Sequence, residues 1–146
     1  MQSYKQKFVK NHLLFLKKKA KNCYTNNYGK FGLKALSSGY ITVSQIETVK
    51  KLCLKFVKYH NTTFNTVNQY TTIWSRENPS IFTTSKGSET RIGGGKGSLK
   101  TKIIRVSSGQ ILLEFNLDSI ITAKKLVNLI SVRLPIKVCL AYNFNF

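Results

Sequence analysis

Residues 101–135 read TKIIRVSSGQ ILLEFNLDSI ITAKKLVNLI SVRLP. Thr101–Val106 and Gln110–Phe115 are apolar, β-branched runs, and Ser107-Ser108-Gly109 between them has the composition of a tight turn, so the pair reads as a β-hairpin. A helix begins near Asp118-Ser119, with Ala123, Leu126, Val127, Ile130 and Leu134 at helical spacing until Pro135 stops it. The apolar and aromatic tail Ile136–Phe146 then suits a closing strand.

The upstream half has the same character. Phe31-Gly32-Leu33-Lys34-Ala35-Leu36 alternates like a strand, and Ser38-Gly39 makes a turn. Thr42-Val43-Ser44-Gln45 has the form of a capping box, a hydroxyl at the N-cap and an amide three residues later. Behind it Ile46, Val49, Cys53 and Phe56, with Val57 beside them, share one helical face, and Lys50, Lys51, Lys55 and Lys58 take the other. Residues 61–72 are polar and read as an exposed loop or insertion. Ile73-Trp74-Ser75-Arg76 is a strand entering the turn at Asn78-Pro79-Ser80. The expected fold is therefore α+β, antiparallel strands packed with two helices. A basic, extended N-terminal arm covers residues 1–30, a single domain covers 31–146, and a glycine-rich loop protrudes at 86–98.

Composition narrows the function. The chain has 146 residues, 42% hydrophobic, which is enough for a core. Its 24 Lys+Arg against 5 Asp+Glu leave a formal charge of +19. Small domains do best at magnitudes of roughly 2–8, so this surplus calls for a polyanion. The first forty residues hold nine lysines and no acid. An arm of that kind neutralises phosphate, with Phe8 or Phe15 available to stack on bases. An amphipathic membrane helix over Leu13–Lys21 is the rival, and an import presequence fits poorly because the arm lacks arginine.

Enzymatic chemistry has little material to work with. No two of Glu47, Glu77, Glu89, Glu114 and Asp118 lie within three residues of each other, and there are two histidines, His12 and His60. Cys23, Cys53 and Cys139 are widely spaced with no Cys-x-x-Cys, so no metal site and no cofactor are expected. No uncharged apolar run approaches the roughly twenty residues that cross a bilayer.

Arg91-Ile92-Gly93-Gly94-Gly95-Lys96-Gly97 is the most unusual segment. Four glycines in five positions cannot hold a helix or strand interior, but they let backbone N–H groups approach phosphate while Arg91 and Lys96 supply charge. A nucleotide-binding P-loop fails on spacing, because position 90 is Thr and the lysine is followed by Gly97.

These strings, taken in order, resemble the bacterial-type large-subunit ribosomal protein L-sixteen family. The resemblance rests on Phe31–Leu36, Gly39 with Ile41-Thr42, Gln45-Ile46-Glu47, Ile73-Trp74 with Arg76 and Pro79, Arg91-Ile92-Gly93, Gly95-Lys96-Gly97, Gly109 with Ile111-Leu112 and Glu114, and Leu134-Pro135-Ile136-Lys137. It implies a non-catalytic component of the large ribosomal subunit that binds large-subunit rRNA and contacts neighbouring ribosomal proteins and no membrane. The glycine-rich loop would point to the A-site tRNA and the peptidyl transferase region. Carried onto this chain, Arg91 and Lys96 would be phosphate contacts, and Gly93, Gly95 and Gly97 would permit close approach. Lys5, Lys7 and Lys10 would anchor the arm. Lys34, Arg76 and Lys137, which stand in the matching strings, and Lys50 and Lys51 on the basic helix face complete the expected rRNA and tRNA contacts.

Some positions depart from the family. Gly94 replaces a usual lysine, Lys100-Thr101-Lys102 stands where an acid and aromatics are common, and Asn61–Tyr70 includes an insertion. Twenty lysines against four arginines, with twelve asparagines, mark a very AT-rich coding sequence. With a family-like start already at Lys5–His12, the expectation is an organelle-encoded protein of a mitochondrial ribosome, ahead of a plastid or an AT-rich bacterium.

Overall fold

The computed structural model describes residues 10–13, 19–63 and 73–142. Seven strands and two helices follow in the order β1 Phe31–Ala35, β2 Gly39–Thr42, α1 Val43–Thr63, β3 Ile73–Ser75, β4 Ile81–Ser85, β5 Ser98–Val106, β6 Ile111–Phe115, α2 Ile120–Ser131 and β7 Val138–Tyr142. They make two antiparallel sheets, one ordered β3-β6-β1-β7 and the other β2-β5-β4. This is the α+β fold expected from the sequence.

The helices bury what their periodicity promised. Ile46, Val49, Cys53 and Val57 of α1 and Ala123, Leu126, Val127 and Ile130 of α2 join Leu33, Ile41, Ile104, Val106, Leu112 and Phe115 in one core. Fully burying a side chain such as Leu126 is worth roughly 1.5–3 kcal/mol. Both helix starts are fixed by side chains. The Gln45 N–H donates to Thr42 Oγ1 at 3.3 Å and the Thr42 N–H donates back to Gln45 Oε1 at 2.9 Å, completing the capping box. Ser119 caps α2, its hydroxyl accepting from the Ile121 N–H at 3.2 Å.

Four expectations need correction. The Ser107-Ser108-Gly109 turn joins β5 and β6, but these strands do not pair; they belong to different sheets. The turn docks on the end of β1 instead. Gly109, at φ +88°, donates to the Ala35 carbonyl at 2.7 Å, and the Ala35 N–H donates to the Gln110 carbonyl at 2.8 Å. Every residue of β6 is buried: β1 and β3 take its two edges, Leu112, Leu113 and Phe115 join the core, and the residue 27–29 backbone covers Glu114. Second, α2 ends at Ser131, before Leu134: Val132 caps it, and the residue ahead of Pro135 is disfavoured in helical geometry. Third, α1 continues to Thr63, three residues into the segment read as a loop; residues 64–72 lie outside the described residues. Fourth, β2 and β4 are additional strands, and β5 begins at Ser98 rather than Thr101.

Residues 19–30, expected as arm, wrap onto the larger sheet as a strap. The Ala20 N–H donates to the Ser108 carbonyl and the Ile111 N–H to the Cys23 carbonyl, both at 2.8 Å. Lys30 closes the strap, its N–H donating to Asn116 Oδ1 at 2.8 Å.

Candidate nucleic-acid interface

The glycine-rich segment is the tip of the β4–β5 hairpin. This ribbon leaves the core quickly: β5 is exposed from Ser98 to Lys102 and buried only from Ile103. Without core contacts it is held by its own ladder and by cross-strand side chains. Thr83 Oγ1 lies 2.8 Å from Thr101 Oγ1 and also donates to the Thr101 carbonyl at 3.0 Å. Opposite Phe82 in the register stands Lys102, its ammonium 5.1 Å from the ring centroid. Lys86, Arg91, Lys96, Lys100 and Lys102 are all exposed along this hairpin, against the single acid Glu89.

Its glycines divide by role. Gly93 and Gly95 take φ of +89° and +78° with open space around them, a backbone shape that side chains resist. Gly97 sits at the neck, where an added Cβ would lie 2.4 Å from the Ser85 carbonyl oxygen. That glycine serves the hairpin's own backbone. The tip is also tied to the arm, since Lys96 Nζ donates to the Asn11 carbonyl at 2.9 Å and Lys10 Nζ donates to the Lys96 carbonyl at 3.2 Å. Lys10 and Lys96 thus come together, and Arg91 stands exposed on the same hairpin tip. Lys5 and Lys7 lie outside the described residues.

The remaining expected contacts sit elsewhere. Lys50 is half-buried and Lys51 exposed on α1, where Lys55 and Lys58 extend the basic face. Lys137 is exposed just before β7, its N–H held by Ser37 Oγ at 2.9 Å. Lys34 is half-buried on β1 beside an open cleft.

Arg76 is engaged inside the fold. Its guanidinium pairs with Glu114 Oε1, with the side chains 12% and 0% exposed, and also donates to the Thr25 carbonyl at 3.3 Å. Glu114 Oε2 accepts from three successive N–H groups of the strap, Asn27 at 2.9 Å, Tyr28 at 2.7 Å and Gly29 at 3.0 Å. Burial alone would push this carboxyl up. The Tyr28 N–H, the Arg76 guanidinium and the Gly29 and Asn27 N–H groups outweigh it and hold the pKa below the ordinary 4.5. Arg76 also lies over the Tyr28 ring at 5.4 Å, and Tyr28 stacks on Trp74 with centroids 6.2 Å apart. One buried carboxylate therefore fixes the strap, β3 and β6 together. The sequence signal was there, an acid inside the apolar run Ile111–Phe115 that can be buried only with partners.

Among the described residues no group of three His, Cys, Asp or Glu could hold a metal ion, and no helix is long and apolar enough to cross a membrane. The chain matches the family described as Ribosomal protein L16p/L10e over residues 3–141. It belongs to that family. Similar members include the large ribosomal subunit protein uL16c of Cyanidium caldarium, 36% identical over 91% of this chain and 88% of the relative. The uL16 of Nitrobacter winogradskyi is 32% identical over 94% of this chain and 93% of the relative. That of Rickettsia massiliae is 32% identical over 91% and 90%. As an L16p/L10e member, the chain is a structural, non-enzymatic ribosomal component.

Proposed function

We propose that this chain is a structural constituent of the large ribosomal subunit that binds large-subunit rRNA and holds the β4–β5 hairpin tip beside the A-site tRNA and the peptidyl transferase region. The observation that carries this reading is the hairpin itself: a ribbon reaching beyond the core, with five cations against one acid and a tip whose glycines leave backbone and charge equally accessible. Such a surface is built for phosphate. Lys5, Lys7 and Lys10 anchor the arm, and Lys34, Lys50, Lys51 and Lys137 contribute rRNA contacts. Arg76 acts indirectly, by setting the strap through Glu114. The lysine-rich, arginine-poor composition supports an organelle-encoded protein working in a mitochondrial ribosome.

Arg91→Ala and Lys96→Ala in the full chain test the tip. Each lost phosphate contact should lower the salt dependence of tRNA binding by about one unit of log–log slope. A-site tRNA binding should weaken while the chain's unfolding midpoint stays unchanged. Equal loss of fold and binding, or unchanged tRNA binding, would count against the contact role.

A further inference from the structure

Between the strap and the edge strand β7 lies an open cleft of about 240 Å³ lined by Tyr24, Thr25, Asn26, Lys34, Ala141 and Tyr142. Its walls are set before any ligand arrives. Glu114 holds the strap immediately behind Asn26 through the Asn27, Tyr28 and Gly29 N–H groups. Asn26 Nδ2 donates to the Ala141 carbonyl at 3.3 Å and ties the strap to β7. Gly32, the register partner of Ala141, makes room for this, since an added Cβ would lie 2.3 Å from Asn26 Oδ1.

The lining defines the ligand. Lys34 is half-buried and pairs with no carboxylate among the described residues. Tyr24 and Tyr142, 56% and 49% exposed, offer ring surface at the rim, and the exposed Thr25 hydroxyl supplies a polar group. A cation, aromatic faces and a hydrogen-bonding group match the phosphate, base face and base edge of an unstacked nucleotide. An acidic peptide would satisfy Lys34 but make no use of two rings. We infer that this cleft takes one unstacked nucleotide of the large-subunit rRNA, its base against Tyr24 and Tyr142 and its phosphate on Lys34. This rests on the rRNA-binding reading and adds a second contact, separate from the hairpin tip.

Ultraviolet cross-linking of large subunits carrying the full chain, read by mass spectrometry and chemical probing of the rRNA, tests it. The expected result is a cross-link from Tyr24 or Tyr142 to a single rRNA position. In Tyr24→Ala and Lys34→Gln subunits that cross-link disappears and the base becomes about tenfold more reactive. Tyr24→Phe, which keeps the ring, and Arg91→Ala, which alters only the tip, should leave it as in the natural chain. A cross-link from this cleft to another protein, assembly without any cross-link, or unchanged base reactivity in the variants would overturn the inference. Absence of the chain from large subunits would instead overturn the ribosomal reading, and this one with it.

Discussion

Glu114→Gln is the substitution with the largest expected cost, and its size follows from the contacts. The carboxylate accepts three strap N–H groups on Oε2 and the Arg76 guanidinium on Oε1, with no solvent exposure. A glutamine in the same place has one acceptor oxygen and one amide donor, so either the strap or Arg76 faces a donor. With the Arg76 side chain 12% exposed, water can replace little of what is lost. Removing one partner of a buried ion pair costs about 3–5 kcal/mol, against roughly 0–1 kcal/mol for a surface pair. Domains of this kind have about 5–15 kcal/mol in total, so the variant should lose a large share of its stability. Urea titration of the full chain measures it, and Trp74, the chain's one tryptophan, reports from the site because it stacks on Tyr28. Glu114→Leu with Arg76→Met should be less damaging than Glu114→Leu alone, because the double variant leaves no guanidinium unpaired, while the three strap N–H groups lose their acceptor in both. A loss below about 1 kcal/mol for Glu114→Gln would show that the pair behaves like a surface one and does not hold the strap.

Four further outcomes are expected. Glu114 has a folded pKa below 4.5, so its contribution is present above that value and is lost as pH falls through the lowered one; Glu114→Gln should flatten the acid limb of the stability profile. Burial pushes Glu77 up, against the opposing bond from Ser75, so its contribution runs the other way: it favours the fold below 4.5 and is lost as pH rises through the raised value. Glu77→Gln should therefore gain stability at neutral pH but not in acid, as pH-dependent urea titrations would show. Gly97→Ala should destabilise more than Gly95→Ala, because only the first drives a Cβ into the Ser85 backbone; Gly95→Ala carries roughly 1–2 kcal/mol of left-handed backbone strain in open space. Burial pushes the Cys53 thiol from 9.0 up to about 12, so a thiol reagent at pH 8 should label half-buried Cys23 and Cys139 and reach Cys53 only on unfolding.

What could be read in advance was local. The capping box at Thr42–Gln45, the α2 stripe and the alternation of β1 each depend on residues within one or two turns. Partner choice is not local. A Ser-Ser-Gly turn between two apolar runs signals a hairpin, but Gly109 and Gln110 spend their backbone bonds on Ala35, seventy-odd positions upstream. β4 gave no alternating signal because the ribbon it forms has no buried face, all five of its residues being half-exposed. The hairpin tip stood out because four glycines among cations fit no helix or strand. At Glu114 the sequence shows only that a buried acid needs partners; its three N–H donors come from an irregular strap whose position only the folded chain reveals.

Sucrose-gradient fractionation of the source organelle or cell, with mass spectrometry before and after a moderate salt wash, decides whether the chain works as a part of the large ribosomal subunit. The expected result is co-migration with the large ribosomal subunit that survives the wash, in the mitochondrial fraction. Migration as free protein, or with membranes, would contradict it.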